Sequence, residues 1–178
     1  MSRVPVTAAM RTEAPLILAG EDVRLRPIRP ADAGMEAEFI RGLSAQAKHY
    51  RFMGGVNELS HDEMSRMCDV DGEHSMAFVA TIDRGGREVE IGVSRYVAGA
   101  KSDAREFAVT VADEWQRRGL GTLLMNRLIE AARSHGVKEL CGVGLVDNTA
   151  MSALAAGLGM SVGRDPGNPQ QAVYRLPV

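Results

Sequence analysis

The sequence predicts an α+β fold in which helices pack on a mixed β-sheet. Two apolar runs in the middle of the chain, Ser75–Ile82 and Val89–Val97, have the composition of strands, and the turn residues Asp83–Gly86 between them indicate a hairpin. From Leu120 onward the apolar residues recur at helical spacing instead. Because strands and helices do not alternate regularly, we expect a mixed sheet and not a uniform α/β arrangement.

The N-terminal half is predicted to contain a loose arm, two strands and three helices. Residues 1–15 carry Pro5 and Pro15 among small and polar residues, which predicts a flexible arm, and residues 16–178 are expected to form one domain. Ser60 and Glu63 match a capping box at the start of the third helix. The predicted elements of this half are Leu16–Leu18, Val23–Arg26, Ala31–Leu43, Lys48–Met53 and Ser60–Cys68.

The C-terminal half is predicted to contain three strands and two helices. The apolar stripe Leu120, Leu124, Leu128 and Ala132 marks a long helix, and Gly136 is placed to end it. Residues 165–169 are predicted to form a turn before the last strand. The other predicted elements are strands over Glu106–Val111, Glu139–Val146 and Ala172–Leu176 and a helix over Asn148–Leu158.

Composition and charge exclude several classes of function. The 178 residues carry a net charge of −2 and no dense Lys/Arg tract, so we expect neither a nucleic-acid partner nor an anionic membrane surface. No apolar run reaches the ~20 residues of a membrane span, and the N-terminus lacks the apolar core of a secretory signal. The four histidines show no metal-ligand spacing, so no metal is expected. Cys68 and Cys141 are predicted to be buried thiols in apolar surroundings, which suits the cytoplasm.

The segment 109–122 is the part of the sequence that most directly suggests chemistry. It predicts a strand, a polar loop and then a helix whose first turn contains Gly119 and Gly121. A helix N-terminus offers unpaired N–H groups and a partial positive charge, and glycines let a diphosphate approach the backbone. Arg117 and Arg118 add positive charge beside it. The alternative is a helix start whose two glycines serve only close packing.

The run Gln116-Arg117-Arg118-Gly119-Leu120-Gly121 resembles the Q/R-x-x-G-x-G/A acyl-CoA motif of the GNAT superfamily of N-acetyltransferases. The resemblance continues to residues 158–160 and includes Asn148. Upstream residues, among them Arg51-Phe52 and Glu106-Phe107-Ala108-Val109, are similar to the acetyltransferase domain of bacterial Pat-type protein lysine acetyltransferases. The resemblance covers roughly residues 16–160. It implies a mostly antiparallel sheet of about six or seven strands, helices on both faces, and a splay between the strands beside the cofactor.

The resemblance also implies acetyl-CoA as the cosubstrate and assigns residues to it. Residues Gln116, Arg117, Arg118, Gly119, Gly121 and Thr122 match the part of the motif that holds the CoA pyrophosphate. Backbone groups of the preceding strand, Val109, Thr110 and Val111, would bind the pantetheine arm. Asn148 matches a position that contacts the cofactor, although a helix N-cap is an equally good reason for an asparagine there.

Glu106 is the predicted general base, because Pat-type enzymes place a glutamate at the matching position. A lysine amine has a pKa of about 10.4 and must lose a proton before it attacks a thioester. The alternative is a solvated carboxylate at the end of the strand that pairs with Arg105 or another cation. The backbone N–H of Val109 is the predicted oxyanion donor. The general acid of many relatives, a tyrosine, is replaced here by Ala155, which leaves Tyr96 and Tyr174 as substitutes or as ordinary sheet residues.

The sequence therefore predicts an enzyme that transfers an acetyl or short acyl group from CoA to a primary amine. A protein lysine and a small molecule remain open as acceptors, and a non-catalytic acyl-CoA sensor remains an alternative. A homodimer is compatible with the family. Residues 49–52 are expected either to line the acceptor pocket or to have a core and rim role. Trp115 is expected to anchor its loop. The acidic cluster Asp69, Asp71 and Glu73 is expected either to attract the amine or to form a solvated loop.

Overall fold

A computed structural model describes residues 15–55, 59–98 and 103–178. The flexible arm predicted at the N-terminus therefore lies outside the described residues, apart from Pro15. Eight strands are present in the described ranges: β1 Leu16–Leu18, β2 Glu21–Pro27, β3 Met76–Asp83, β4 Glu88–Ala98, β5 Ala104–Val111, β6 Glu139–Leu145, β7 Ser161–Asp165 and β8 Asn168–Pro177. The α-helices are α1 Ala33–Gly42, α2 Ala45–Phe52, α3 His61–Cys68, α4 Leu120–Ser134 and α5 Thr149–Gly157.

The strands form one mixed sheet in the order β1-β2-β3-β4-β5-β6-β8-β7. All neighbours pair antiparallel except β5 and β6, which are parallel. The α+β class and the mostly antiparallel sheet are confirmed. The sheet has one strand beyond the expected six or seven, because the predicted turn at residues 165–169 joins β8 to an edge strand, β7, that the sequence pattern did not indicate.

Helices cover both faces of the sheet, as predicted. Side chains of β3 alternate between the faces: Phe78 and Ala80 pack with α4, whereas Ala77 and Val79 pack with residues of α1 to α3. The apolar stripe of α4 is fully buried at Leu120, Leu124, Leu128 and Ala132. Burial of such side chains, at about 25 cal/mol per Å² of apolar surface, supplies the main force that holds α4 on the sheet.

The second helix begins at Ala45, three residues before the predicted start at Lys48. Ser44 is its N-cap, and the Ser44 Oγ accepts a hydrogen bond from Ala47 N at 3.1 Å. The same residue donates to Asp113: Ser44 N to Oδ2 at 2.9 Å and Oγ to Oδ1 at 2.6 Å. The capping box predicted at Ser60 and Glu63 is confirmed at the start of α3.

The parallel strands β5 and β6 separate after three paired positions. Their last matched pair is Glu106 and Cys141, although β5 continues to Val111 and β6 to Leu145. The ring of Phe107 occupies the space beside Gly142, where an added Cβ would lie 2.8 Å from the ring. This divergence is the splay that the resemblance implied, and it opens the sheet toward the start of α4.

The two cysteines are free, and their surroundings differ from the prediction. Cys68 is fully buried, but Glu36 and Arg95 lie close enough to act on it electrostatically, so its surroundings are not purely apolar. Burial, with the negative charge of Glu36, raises the pKa of the Cys68 thiol to about 12. Cys141 is only partly buried. Within the described ranges, no helix has the length and apolar character needed to cross a bilayer.

Candidate functional site

A cavity of about 700 Å³ opens at the splay of the sheet. Its walls come from β5, from the loop and first turn that lead into α4, from the start of α5 and from one side of α2. The cavity therefore lies beside the segment in which the chain passes from β5 to α4. The lining residues include Tyr50, Arg51, Val109, Thr110, Val111, Gln116, Arg117, Gly119, Gly121, Thr122, Asn148 and Leu154.

The first turn of α4 faces this cavity without a side-chain cap. Gly119 is the N-cap, with a φ of 87° that is easy only for glycine, and it makes no side-chain cap hydrogen bond. The first bond of the helix runs from Leu123 N to Gly119 O at 3.1 Å, which leaves the N–H groups of residues 120–122 without an intrahelical acceptor. An added Cβ at Gly121 would touch only side chains, the nearest being Leu154 at 3.6 Å. The turn can therefore receive an anion.

Main-chain groups of β5 are also directed toward the cavity. Ala112 N donates to Ile91 O on β4 at 2.9 Å, and alternation along the ladder turns Thr110 and Ala108 toward β4 as well. The same alternation directs the N–H and C=O of Val109 and Val111 toward β6, where pairing has already ended. Val111 O accepts from Gln116 Nε2 at 3.3 Å. The Val109 groups thus face the opening of the splay.

The structure brings together nearly all the residues that the sequence indicated for the cofactor. The cavity is lined by three residues of β5, Val109, Thr110 and Val111, and by five residues of the following loop and helix start, Gln116, Arg117, Gly119, Gly121 and Thr122. Arg118 does not line it: its guanidinium carbon lies 5.6 Å from the centroid of the Trp115 ring. Trp115 itself is 3% exposed and anchors the loop, as predicted.

Asn148 serves as the N-cap of α5 and also lines the cavity. Its Oδ1 accepts a hydrogen bond from Met151 N at 3.0 Å. The cap that the sequence offered as an alternative is therefore present, and a cofactor contact by the same side chain remains a prediction. Ala155, at the position where relatives have tyrosine, is completely buried in the core.

A second cavity, of about 470 Å³, lies beside the first along β5. Glu106 lines this cavity and not the larger one, and its side chain is exposed. The role of Glu106 as a general base and the alternative, a pair with Arg105 or another cation, both stay predictions. The other charged residues of the wall are Arg51, Glu63, Arg66, Asp69 and Arg95.

A buried group of charged residues supports the floor of the second cavity. Arg95 donates to Glu36 Oε1 at 2.6 Å and to Met67 O at 2.9 Å. Glu90 is 4% exposed, and burial together with the negative charge of Glu36 raises its pKa. This group was not predicted from the sequence, although Glu90 and Arg95 are charged residues within a mostly apolar strand.

Arg51 belongs to the walls of both cavities. It lies in the last turn of α2, and its guanidinium carbon is 5.2 Å from the centroid of the Phe52 ring. Burial, and then the positive charge of Arg95, lower the pKa of Arg51 to about 10. Of residues 49–52, Arg51 lines the second cavity, and its contact with an acceptor stays a prediction.

The remaining sequence candidates have structural roles or lie apart from the cavities. Tyr96 contributes to the wall of the second cavity but is fully buried, and its hydroxyl is hydrogen-bonded to His135 Nδ1 at 2.7 Å. Tyr174 is 1% exposed, also inside the core. Asp71 accepts hydrogen bonds from the backbone of Glu73, His74 and Ser75, which is the geometry of a closed polar loop. Of the predicted acidic cluster, only Asp69 lines the second cavity.

Comparison with known proteins agrees with this geometry. Residues 22–161 match the family described as acetyltransferase (GNAT) domain. The chain is 39% identical over 157 residues to an acetyltransferase of Pseudomonas aeruginosa, which covers 88% of this chain and 84% of that protein. It is 30% identical over 154 residues to the acetyltransferase Pat of Mycolicibacterium smegmatis, which covers 85% of this chain and 45% of Pat. The chain thus spans less than half the length of Pat.

A solved structure shows the same likeness. The GNAT domain of S. lividans PAT aligns with a TM-score of 0.81 and 26% sequence identity, covering 93% of this chain and 97% of that domain. The resemblance to GNAT domains, and among them to Pat-type acetyltransferases, is confirmed.

Proposed function

The chain belongs to the acetyltransferase (GNAT) domain family, and from that membership we propose that it transfers an acetyl group from acetyl-CoA to a primary amine. One observation carries the proposal: two cavities share the strand β5, and the carboxylate of Glu106 stands in the second of them. A donor and an acceptor bound in these cavities would meet along that strand. The amine then attacks the thioester directly in a ternary complex.

Acetyl-CoA occupies the larger cavity in this proposal. Its diphosphate is held by the N–H groups of residues 120–122 and by the charge of Arg117, since an uncapped helix N-terminus favours an anion. Its pantetheine amides bond to the main chain of Val109 and Val111, which adds a short pseudo-strand to the free edge of β5. Thr110, Gln116 and Asn148 complete the wall around the cofactor.

Glu106 acts as the general base in the second cavity. It removes a proton from the acceptor ammonium, directly or through water, so that the neutral amine can attack. The exposure of Glu106 on the wall of the second cavity supports this role, because an exposed carboxylate can reach an amine that is bound there. The N–H of Val109 faces the splay and is the donor for the oxyanion.

The acceptor we propose is a lysine on the surface of a protein. The wall of the second cavity carries three arginines and three carboxylates, so it lacks the acidic excess that would select a small cationic amine. The likeness to Pat-type acetyltransferases points the same way. A small-molecule amine is the competing acceptor.

The experiment measures thiol release from acetyl-CoA with two panels of acceptors, lysine-containing peptides and small amines, and identifies the acetylated product by mass spectrometry. Binding of CoA is followed separately by calorimetry, and Glu106→Gln is the matched variant. We expect turnover with peptides, a loss of about 10²–10⁴-fold in kcat for the variant, and unchanged CoA binding. Turnover with small amines alone would reassign the acceptor. CoA binding without turnover on either panel would contradict the proposed enzyme activity and support a non-catalytic acyl-CoA sensor.

A further inference from the structure

We propose that Arg51 is a further catalytic residue, whose guanidinium stabilises the CoA thiolate as it leaves the acetyl group. The inference rests on the proposed function and adds to it the fate of the leaving group. It starts from the position of Arg51, which is shared by the donor and acceptor cavities.

Arg51 is a partly buried cation that lacks an anionic partner within the described part of the chain. Its electrostatic neighbours are Arg95, which repels it, and Glu36, whose Oε1 is already bonded by Arg95 at 2.6 Å. Burial of a cation costs free energy unless an anion compensates it. The cavity wall therefore offers a charge that a bound ligand can use.

Arg51 lies in α2, and its place relative to the strand β5 indicates which part of the ligand it would contact. Helix α2 starts at Ser44, which is hydrogen-bonded to Asp113 beside the phosphate end of the donor cavity. The helix then runs back over β5, and Arg51 lies about 10 Å further along the axis at 1.5 Å per residue. There it joins the wall that contains Glu106 and Ala108. Arg51 is thus remote from the diphosphate and close to the reacting end.

A positive charge at this place would stabilise the leaving thiolate, for which the candidate tyrosines provide no proton donor. Ala155 is buried where relatives carry the tyrosine that protonates the sulfur. Tyr96 is fully buried with its hydroxyl bonded to His135, and Tyr174 is inside the core. None of the three presents a hydroxyl to a leaving group. An arginine cannot supply a proton at neutral pH, but it donates hydrogen bonds and a fixed positive charge to an anion.

The transfer then balances as follows. The acceptor ammonium first loses one proton to Glu106, which passes it on to water. The neutral amine nitrogen then forms a bond to the carbonyl carbon, its second proton passes to the same carboxylate, and the C–S bond breaks with its electron pair remaining on sulfur. Glu106 returns this second proton to water. The thiolate is held by Arg51 and takes a proton from water on release. The other charged groups on the walls of the two cavities are Glu63, Arg66, Asp69, Arg95, Glu106, Asp113 and Arg117, and Glu36 acts on Arg51 electrostatically from behind the wall.

The first test compares the binding of CoA and desulfo-CoA, which lacks the sulfur, by calorimetry from about pH 7 to pH 9. A thiol has an ordinary pKa of about 8.5. If Arg51 stabilises the thiolate so that the pKa of the bound thiol falls by one unit, CoA binds about sixfold more tightly at pH 9 than at pH 7. Desulfo-CoA reports every other titrating group and should show no such gain. Equal pH dependence for the two ligands overturns the role of Arg51 alone. Failure of both ligands to bind overturns the donor site and with it the proposed function.

The second test uses Arg51→Gln and Arg51→Lys, with Arg133→Gln as the control, because Arg133 is an exposed arginine in the last turn of α4. We expect Arg51→Gln to lower kcat by about 10²–10³-fold with little change in KM for acetyl-CoA, and lysine to restore part of the loss. The pH-dependent gain in CoA affinity should disappear in Arg51→Gln. A variant that keeps both the gain and wild-type kcat contradicts the inference.

Discussion

Glu106 and Cys141 form the last matched pair between the parallel strands β5 and β6. Before this pair the two strands share a ladder, and after it their backbones diverge toward the start of α4. The proposed base thus lies at the root of the splay, one residue before Phe107. The proposed base and the proposed cofactor site are therefore neighbours, because the same break in the ladder exposes the backbone groups that are proposed to bind acetyl-CoA.

Gly142→Ala should destabilise the fold at this break. An added Cβ would lie 2.8 Å from the Phe107 ring, so the ring or the strand must move, which costs about 1–3 kcal/mol. Chemical denaturation measures the change. Gly163→Ala is the control, because nothing lies within 4 Å of a Cβ at that residue. Equal stability for the two variants would show that the ring does not fill this space.

Gly121→Glu should abolish CoA binding with little loss of stability. A Cβ at this residue would meet only side chains at 3.6 Å or more, and a carboxylate in the first turn of a helix is favourable. The same negative charge would repel the diphosphate from the start of α4. Gly157→Glu in α5 is the matched control and should leave the CoA affinity unchanged. Calorimetric binding and thermal unfolding separate the two effects, and unchanged affinity in Gly121→Glu contradicts the donor site.

The link between Ser44 and Asp113 should contribute to stability in a pH-dependent way. Hydrogen bonds from the Ser44 side chain and backbone hold the pKa of Asp113 below its usual range. Its contribution is therefore complete above the ordinary aspartate pKa of about 3.9 and is lost as the pH falls through the lowered value. Ser44→Ala, which also removes the N-cap of α2, should cost about 1 kcal/mol at neutral pH.

A double-mutant cycle of Ser44→Ala and Asp113→Ala, measured by urea unfolding at two pH values, tests the link. We expect the two losses to be less than additive at neutral pH. Additive losses would mean that the two residues act independently.

Glu90→Gln should stabilise the protein at neutral and alkaline pH. Burial and the neighbouring Glu36 raise the pKa of Glu90 in the folded state, so its carboxyl favours the protonated form there. Stability from this group is complete below the unfolded pKa of about 4.3 and declines as the pH rises toward the raised folded value. Glutamine keeps the shape and removes the titration.

Unfolding free energies of wild type and Glu90→Gln, measured from about pH 5 to pH 9, should therefore diverge as the pH rises. Parallel curves would contradict the assignment of a raised pKa to Glu90.

Tyr96→Phe should leave turnover nearly unchanged, because its hydroxyl bonds to His135 inside the protein. Loss of that hydrogen bond should cost about 1 kcal/mol of stability. Tyr174→Phe should cost less, because the Tyr174 hydroxyl has no hydrogen-bond partner in the described chain. A hundredfold fall in kcat for either variant would instead identify that tyrosine as the general acid and remove the need for Arg51.

Periodicity in the sequence was sufficient to predict the central architecture. The stripe from Leu120 to Ala132 specified α4, and the runs around residues 75–97 specified the hairpin, because each pattern is local and dominated by burial. Strand β7 was missed because Ser161–Asp165 is mostly exposed and does not alternate in polarity. β7 forms because it pairs with β8, the next strand in the chain, and the local sequence of β7 alone does not indicate this pairing.

The site was predictable only where one segment carries it. The uncapped turn at Gly119 and Gly121 lies within a single strand–loop–helix segment, so its glycines were visible in the sequence. The start of α2 depends on Asp113, 69 residues beyond Ser44, and the position of Arg51 follows from that contact. The acceptor cavity brings together residues from separate elements, which no local pattern reveals.

The aromatic ring of Phe107 on β5 packs against Gly142 on β6, one residue past the last matched pair of these strands. Because core atoms are packed at the root of the cleft, the strands are apart before any ligand arrives, and entry of the cofactor requires no separation of paired strands. The protein itself then loses little conformational entropy when the cofactor binds. More of the binding free energy is therefore available for orienting the thioester of the long, flexible donor.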